Sequence, residues 1–223
     1  MDGPAPTIVS DIHTYEPSKG HGLKHDPFNA IIAPRPIGWI GTKGARGNLN
    51  LAPYSFFNAF NYKPPILAFS SNGWKDTVRN IQETGDFTWN LVTMPLAQAM
   101  NTTAAHVPPD VSEFSTSGLT PVSSKLVKAP RVGEARAAME LQLIKVMQLE
   151  TKEGHKIENW MIFGEVVAVH IDRSLIVDGV YNTAMAHPIS RGGRRGDYFE
   201  ISPETMFDMP RPEMGLLVLP VTG

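Results

Sequence analysis

Apolar and polar positions alternate with period two through Met139-Glu140-Leu141-Gln142-Leu143, and the adjacent pair Leu143-Ile144 then breaks the phase, as a bulge or a change of face would. Thr151-Lys152-Glu153-Gly154-His155 supplies a turn. Residues 162–171 return with Val167, Val169 and Ile171 on one face and Val166, Ala168 and His170 on the other, so the two segments read as an antiparallel hairpin. Upstream, residues 30–42 are apolar and rich in strand formers, although Pro34 and Pro36 restrict them to an edge or a strand entrance. Gly44-Ala45-Arg46-Gly47 then leads into a second strand over 49–59, and 66–71 is a short buried strand. In 77–83, Val78 and Ile81 fall three apart, which suits one face of a short helix, with Gly85 where a stop is expected. Residues 87–92 form an aromatic and β-branched strand, Pro95 suits the first turn of a helix over 96–105, and 108–118 reads as a loop. Strands outnumber helices and come at hairpin spacing without regular helical crossovers. That pattern predicts a mainly β, closed or partly closed antiparallel barrel and not a doubly wound parallel sheet.

Prolines and glycines punctuate the polar N-terminal stretch, so residues 1–25 read as an extended arm ahead of a domain over 26–202, with a tail over 203–223 whose apolar part, Met214 to Val221, is expected to pack on a second subunit. At 223 residues, 42% of them hydrophobic and 19% charged, the chain can bury a proper core. A formal net charge of −2 argues against partners attracted by bulk positive charge, nucleic acid and anionic lipid among them. Any anion must therefore be gripped locally. The absence of cysteine excludes disulfides, thiolate nucleophiles and cysteine-ligated metals, so redox chemistry requires an added cofactor. The first fifteen residues have neither a cationic start nor an apolar core segment, and no run approaches the roughly 20 apolar residues of a spanning helix, so the expected location is cytoplasmic. His13, His21 and His25 lie in the proline-rich arm, which does not favour the helix and fourth ligand that a metal site there would need.

The candidate chemistry concentrates at Lys75-Asp76-Thr77, between a strand ending Ser70-Ser71 and a helix. A lysine and hydroxyls at a helix start can clamp a phosphate, with the partial positive charge of the helix end helping. The plainer alternative is that Asp76 or Thr77 caps the helix and Lys75 is solvated. Arg35, held between two prolines, suits recognition of a phosphate or ring carbonyl, or else is a surface arginine on an edge strand. Asn50 to Ser55 combines amide, small residue, proline and hydroxyl, and its main chain can lie against a flat ring. Trp39, Phe56, Phe57 and Trp74 can wall such a pocket or simply be core. Arg191-Gly192-Gly193-Arg194-Arg195-Gly196 is a flexible basic loop, with Tyr198 placed to pack it down.

Taken together, Ala33-Pro34-Arg35-Pro36-Ile37-Gly38-Trp39, Asn50-Leu51-Ala52-Pro53-Tyr54-Ser55, Lys75-Asp76-Thr77-Val78-Arg79-Asn80, the strand 87–92 and Pro188-Ile189-Ser190-Arg191-Gly192-Gly193 with Tyr198 resemble the flavin reductase-like FMN-binding split β-barrels. That family includes reductase components of two-component monooxygenases and flavoredoxin-like proteins. The resemblance implies a six-stranded Greek-key split barrel with short flanking helices, a homodimer, and FMN held non-covalently near the subunit interface. It implies Ser71, Lys75 and Thr77 on the phosphate and Asn50, Ala52 and Ser55 beside the isoalloxazine, with Arg35 and Arg191 serving either the phosphate or the dimer contact; Trp39, as a pocket wall, completes the candidate cofactor-binding residues. The implied activity is hydride transfer from NAD(P)H to flavin, with another flavin, a monooxygenase or another acceptor downstream and no catalytic side chain required. The alternative is an FMN-binding electron carrier reduced by a partner protein.

Overall fold

The computed structural model describes residues 7–108 and 110–211. Seven strands form one antiparallel sheet: β1 (Gly38–Lys43), β2 (Leu49–Tyr54), β3 (Phe57–Tyr62), β4 (Pro65–Asn72), β5 (Asp86–Asn90), β6 (Ala137–Glu150) and β7 (Lys156–Ile171). Their spatial order is β2-β1-β5-β6-β7-β4-β3. The two outermost strands, β2 and β3, are thus consecutive in sequence, joined only by Ser55-Phe56. Seven flat strands would hold those edges roughly 29 Å apart at the usual inter-strand spacing. The link from Tyr54 to Phe57 spans at most about 11 Å. The sheet must therefore curl until its edges meet, and because β2 and β3 do not pair in a ladder, the closed surface keeps a split.

Six strands were expected and seven are present, because the segment 49–59 is two strands. β1 runs out as partner at Gly38, opposite Tyr54, and the Ser55 carbonyl is taken by the Arg35 Nε–H at 3.1 Å. With no ladder left to extend, the chain turns and pairs with β4, Phe57 facing Phe69. The expected phase break is a bulge: Lys145 pairs with Phe163 and Leu143 with Gly164, leaving Ile144 as the extra residue. Gly164 is required beside it, since a Cβ there would lie 2.3 Å from Cζ of Phe87.

Helix α1 (Asp76–Thr84) fills the barrel end with Val78 and Ile81, which join Ile40, Phe69, Phe87, Leu141 and Ile162 in the interior core. Gly85 ends it in the left-handed region at φ 75°, its N–H donating to Ile81 O at 2.8 Å. The other face of β1 and β2 buries Trp39 and Leu51 in a second cluster with Val92, Met100, Phe114 and Leu119. That cluster is roofed by α2 (Ala97–Thr102) and α3 (Glu113–Ser117). The expected helix over 96–105 is thus shorter and preceded by a 3-10 turn at Met94–Leu96. The expected loop over 108–118 contains α3, stabilised by burial of Phe114 and closed by Gly118 at φ 71°. Outside the main sheet, Ile189–Arg191 pairs with both Arg35–Pro36 and Tyr198–Glu200. Residues 7–25 contain a 3-10 turn, Pro17–Lys19, and no buried side chain. The apolar end of the tail, Met214 to Val221, lies outside the described residues.

Candidate cofactor cleft

Three stretches distant in sequence meet at the split. The start of α1 follows a turn in which Gly73 adopts φ 91° and Lys75 is the extended N-cap residue. Lys75 makes no side-chain capping bond, so the first amides of α1 have no side-chain acceptor from it. Thr77 is buried, and its hydroxyl accepts from Asn50 Nδ2 at 2.9 Å, which ties α1 to β2. One turn further on, Asn80 Nδ2 donates to Thr42 Oγ1 at 3.0 Å and ties α1 to β1. The helix start is therefore fixed by polar bonds on one side and by Val78 and Ile81 on the other.

Against it opens a cleft of about 440 Å³. One wall is the strand β2 and its exit, with Asn50, Ala52, Pro53, Tyr54, Ser55 and Phe56; the floor is Ser70 and Asn72 with Lys75, Asp76 and Thr77. The far wall is the segment Thr103 to Val107 after α2, together with Glu113 at the start of α3. Five of the nine candidate cofactor residues, Asn50, Ala52, Ser55, Lys75 and Thr77, line this space. The other four stand around it. Ser71 is fully buried and donates to Gly73 O at 2.9 Å, holding the turn that leads to Lys75. Trp39 is fully buried behind the far wall, and its indole N–H donates to Thr103 Oγ1 at 3.0 Å. Arg35 donates to Ser55 O and, through Nη2, to Gly192 O at 3.0 Å, with its guanidinium over the Phe56 ring. Arg191 turns into its own loop, donating to Asp197 O at 2.9 Å and Arg195 O at 2.8 Å and stacking on Tyr198. Both arginines spend donors on backbone carbonyls, and neither side chain lines the cleft, although Arg35 contacts the lining residues Ser55 and Phe56 from behind.

The electrostatics are mixed. Lys75 is exposed and makes no ion pair among the described residues. Asp76 is bound by Arg79. The Tyr54 hydroxyl is pushed up to about 12, chiefly by burial, although the Thr77 and Ser71 hydroxyls beside it pull the other way. Close as they are, neither gives it a hydrogen bond of good geometry, and it is a buried orphan among the described residues. Glu113 is buried, and its Oε2 accepts from Leu51 N–H at 3.0 Å. Burial holds its carboxyl above the ordinary range, with the Leu51 amide opposing and Asp76 adding to the rise.

The family model for the flavin reductase like domain matches residues 32–189, a span that contains the whole seven-stranded sheet and the cleft. The chain belongs to this family. An uncharacterized protein from Aquifex aeolicus is 37% identical over 175 residues, covering 76% of this chain and 85% of the relative. The structure is similar to nitrilotriacetate monooxygenase component B from Bacillus cereus, with a TM-score of 0.77, 28% identity, and coverage of 93% of this chain and 100% of that one. It is also similar to a Shewanella frigidimarina protein with a split barrel domain, with a TM-score of 0.74, 25% identity, and coverage of 83% and 90%. Within this flavin reductase-like chain, Glu113 and the 103–107 wall were not among the candidate residues. The only sequence signal for Glu113 was Ser112 ahead of a short segment ended by Gly118, which marks a helix and says nothing of a cleft. No helix among the described residues is long and apolar enough to cross a membrane.

Proposed function

We propose that the cleft binds FMN non-covalently and that the protein passes hydride from NAD(P)H to it as a flavin reductase. One observation carries the reading: unpaired donors converge on a single space. Among the described residues, Lys75 and the first amides of a nine-residue helix have no side-chain partner and border the cleft, and the Tyr54 side chain, its hydroxyl buried without a well-formed hydrogen bond, stands in the wall beside them. Such a donor set suits a phosphate monoester. The remaining wall, Ala52 and Pro53 with half-exposed Phe56, is small, flat and largely apolar, which suits a ring system. The volume falls in the range of roughly 300–1,000 Å³ typical of small-molecule sites.

In this reading FMN, when bound, supplies the two-electron chemistry with a reduced nicotinamide as donor. The chain contributes binding and orientation. Lys75 and the α1 amides hold the anionic end. Asn50 and Thr77, locked to each other, fix the helix start relative to β2, and Ser71 holds the turn ahead of it. Arg35 sets the position of Ser55 and Phe56 where the chain leaves the wall, Trp39 sets Thr103 opposite, and Arg191 orders the loop that Arg35 touches. No side chain need act as acid or base in the hydride step. A homodimer belongs to the same proposal, since Phe60 and Tyr62 on edge strand β3 and Ile144 and Met147 on β6 leave apolar surface that a second copy would cover. So does a downstream acceptor, a free flavin or a monooxygenase, supported by the similarity to a monooxygenase component B.

The test is a visible spectrum after desalting protein that was mixed with excess FMN, followed by anaerobic addition of NADH and of NADPH. Flavin absorbance that bleaches with either nucleotide supports the reductase. Retained colour that neither nucleotide bleaches points to an electron carrier, and a colourless protein refutes flavin binding.

A further inference from the structure

Two carboxyl groups line the cleft in which an anion is expected, and they are not equivalent. Asp76 has its charge compensated by Arg79. Glu113 has no cationic partner among the described residues. Among the described residues, the one hydrogen bond its carboxyl takes from another residue comes from a neutral donor, the Leu51 N–H. It cannot easily turn away: it is the first residue of α3, whose next residue, Phe114, is fully packed in the core behind β2. An ionised Glu113 would therefore be a buried, uncompensated negative charge facing the same space as Lys75. A neutral Glu113 has a hydroxyl proton to give.

We propose that Glu113 is the pH-dependent selectivity residue of the cleft, donating a hydrogen bond to the bound anionic group as a neutral acid and repelling it as a carboxylate. This rests on the FMN reading above and adds a regulation to it. The other titratable groups lining the cleft are Lys75 and Asp76 from α1 and Tyr54 from β2 across from Glu113, and His106 on the same wall, from the segment after α2. Burial, the largest influence on Glu113, shifts its titration upward, so affinity for the anion is full below that range and falls as pH rises through it. The phosphate cannot produce this trend. Its own second ionisation, near pH 6, adds negative charge that Lys75 and the helix end would hold more tightly.

Dissociation constants for FMN and for riboflavin, which lacks the phosphate, should be measured by fluorescence titration from about pH 5.5 to about pH 9, spanning the range above an ordinary carboxyl. In the parent, FMN should weaken about tenfold across that range, the size of one screened like-charge contact. Riboflavin should change little. Glu113→Gln, which keeps an acceptor for Leu51 and a permanent donor, should flatten the FMN profile and bind FMN more tightly than the parent at the alkaline end. Calorimetry in two buffers of different ionisation enthalpy gives a second readout: FMN binding should take up protons in the parent and not in Glu113→Gln, which distinguishes Glu113 from His106 in the same cleft, and riboflavin binding should take up none in either. An FMN profile equally steep in Glu113→Gln, an equal slope with riboflavin, or no proton uptake overturns the inference while leaving flavin binding intact. Failure of the parent to bind either flavin at every pH removes the proposed function and this inference together.

Discussion

Replacing Lys75 by alanine separates binding of the cofactor from stability of the fold. Lys75 occupies the N-cap position of α1 but makes no capping bond, is exposed, and takes part in no ion pair among the described residues. Its loss should therefore change the stability of the free protein by no more than about 0.5 kcal/mol, as for surface substitutions that break no contact. Its value to a bound phosphate is electrostatic. Opposite unit charges 4 Å apart attract by about 1 kcal/mol in water and about 4 kcal/mol near a protein surface of moderate polarity. Because the ammonium is exposed, the lower part of that interval applies, about 1–2 kcal/mol, which corresponds to roughly a 5- to 30-fold weaker dissociation constant. Fluorescence titration of FMN into Lys75→Ala and parent measures the loss, and raising the salt should shrink the difference. Riboflavin should bind both proteins equally, and their melting curves without flavin should coincide. FMN affinities within twofold of each other, or an equal loss for riboflavin, would refute a lysine-held phosphate at this turn.

The barrel interior offers a packing test: Gly164→Ala places a Cβ 2.3 Å from Cζ and 2.5 Å from Cε1 of buried Phe87, so the ring or the bulge must shift. The expected cost is about 1–3 kcal/mol in chemical denaturation, and an unchanged midpoint would mean the interior is looser than described. Glu140, fully buried, accepts from the amides of Lys125 and Leu126 at 2.6 Å and Val127 at 3.2 Å and pairs with His170 at 2.6 Å. Burial pushes its carboxyl up, but those bonds outweigh burial and hold it below the ordinary range. A folded-state value depressed in this way contributes stability above the unfolded value of about 4.3 and loses it as pH falls through the folded one. Glu140→Gln should accordingly melt below the parent at neutral pH, with the gap closing under acid; a gap independent of pH would sink the account.

Local chemistry made most elements legible. Alternation marked β6 and β7, the doubled apolar pair at Leu143-Ile144 marked the bulge, and the spacing of Val78 and Ile81 with Gly85 beyond them marked α1 and its end. These signals work because side-chain periodicity and glycine's access to the left-handed region are properties of a few consecutive residues. Where partners come from afar, the pattern was silent. The segment 49–59 looks continuous, and only the end of β1 as a partner and the pull of Arg35 on Ser55 divide it into two strands. The nine candidate residues carry donors or small side chains in the right order along the chain, yet residue type alone could not separate Lys75 and Thr77, which border the cleft, from Arg35 and Arg191, which bind backbone carbonyls. Glu113 meets Leu51 across 62 residues of sequence, and its surroundings exist only once the sheet has curled and α3 has packed on β2. Local order along the chain set the elements and the kinds of side chain available for binding. Which of those side chains share one low-dielectric space, and so alter each other's charge, was decided by tertiary structure, because desolvation and Coulomb energies depend on distances through space that order along the chain does not encode.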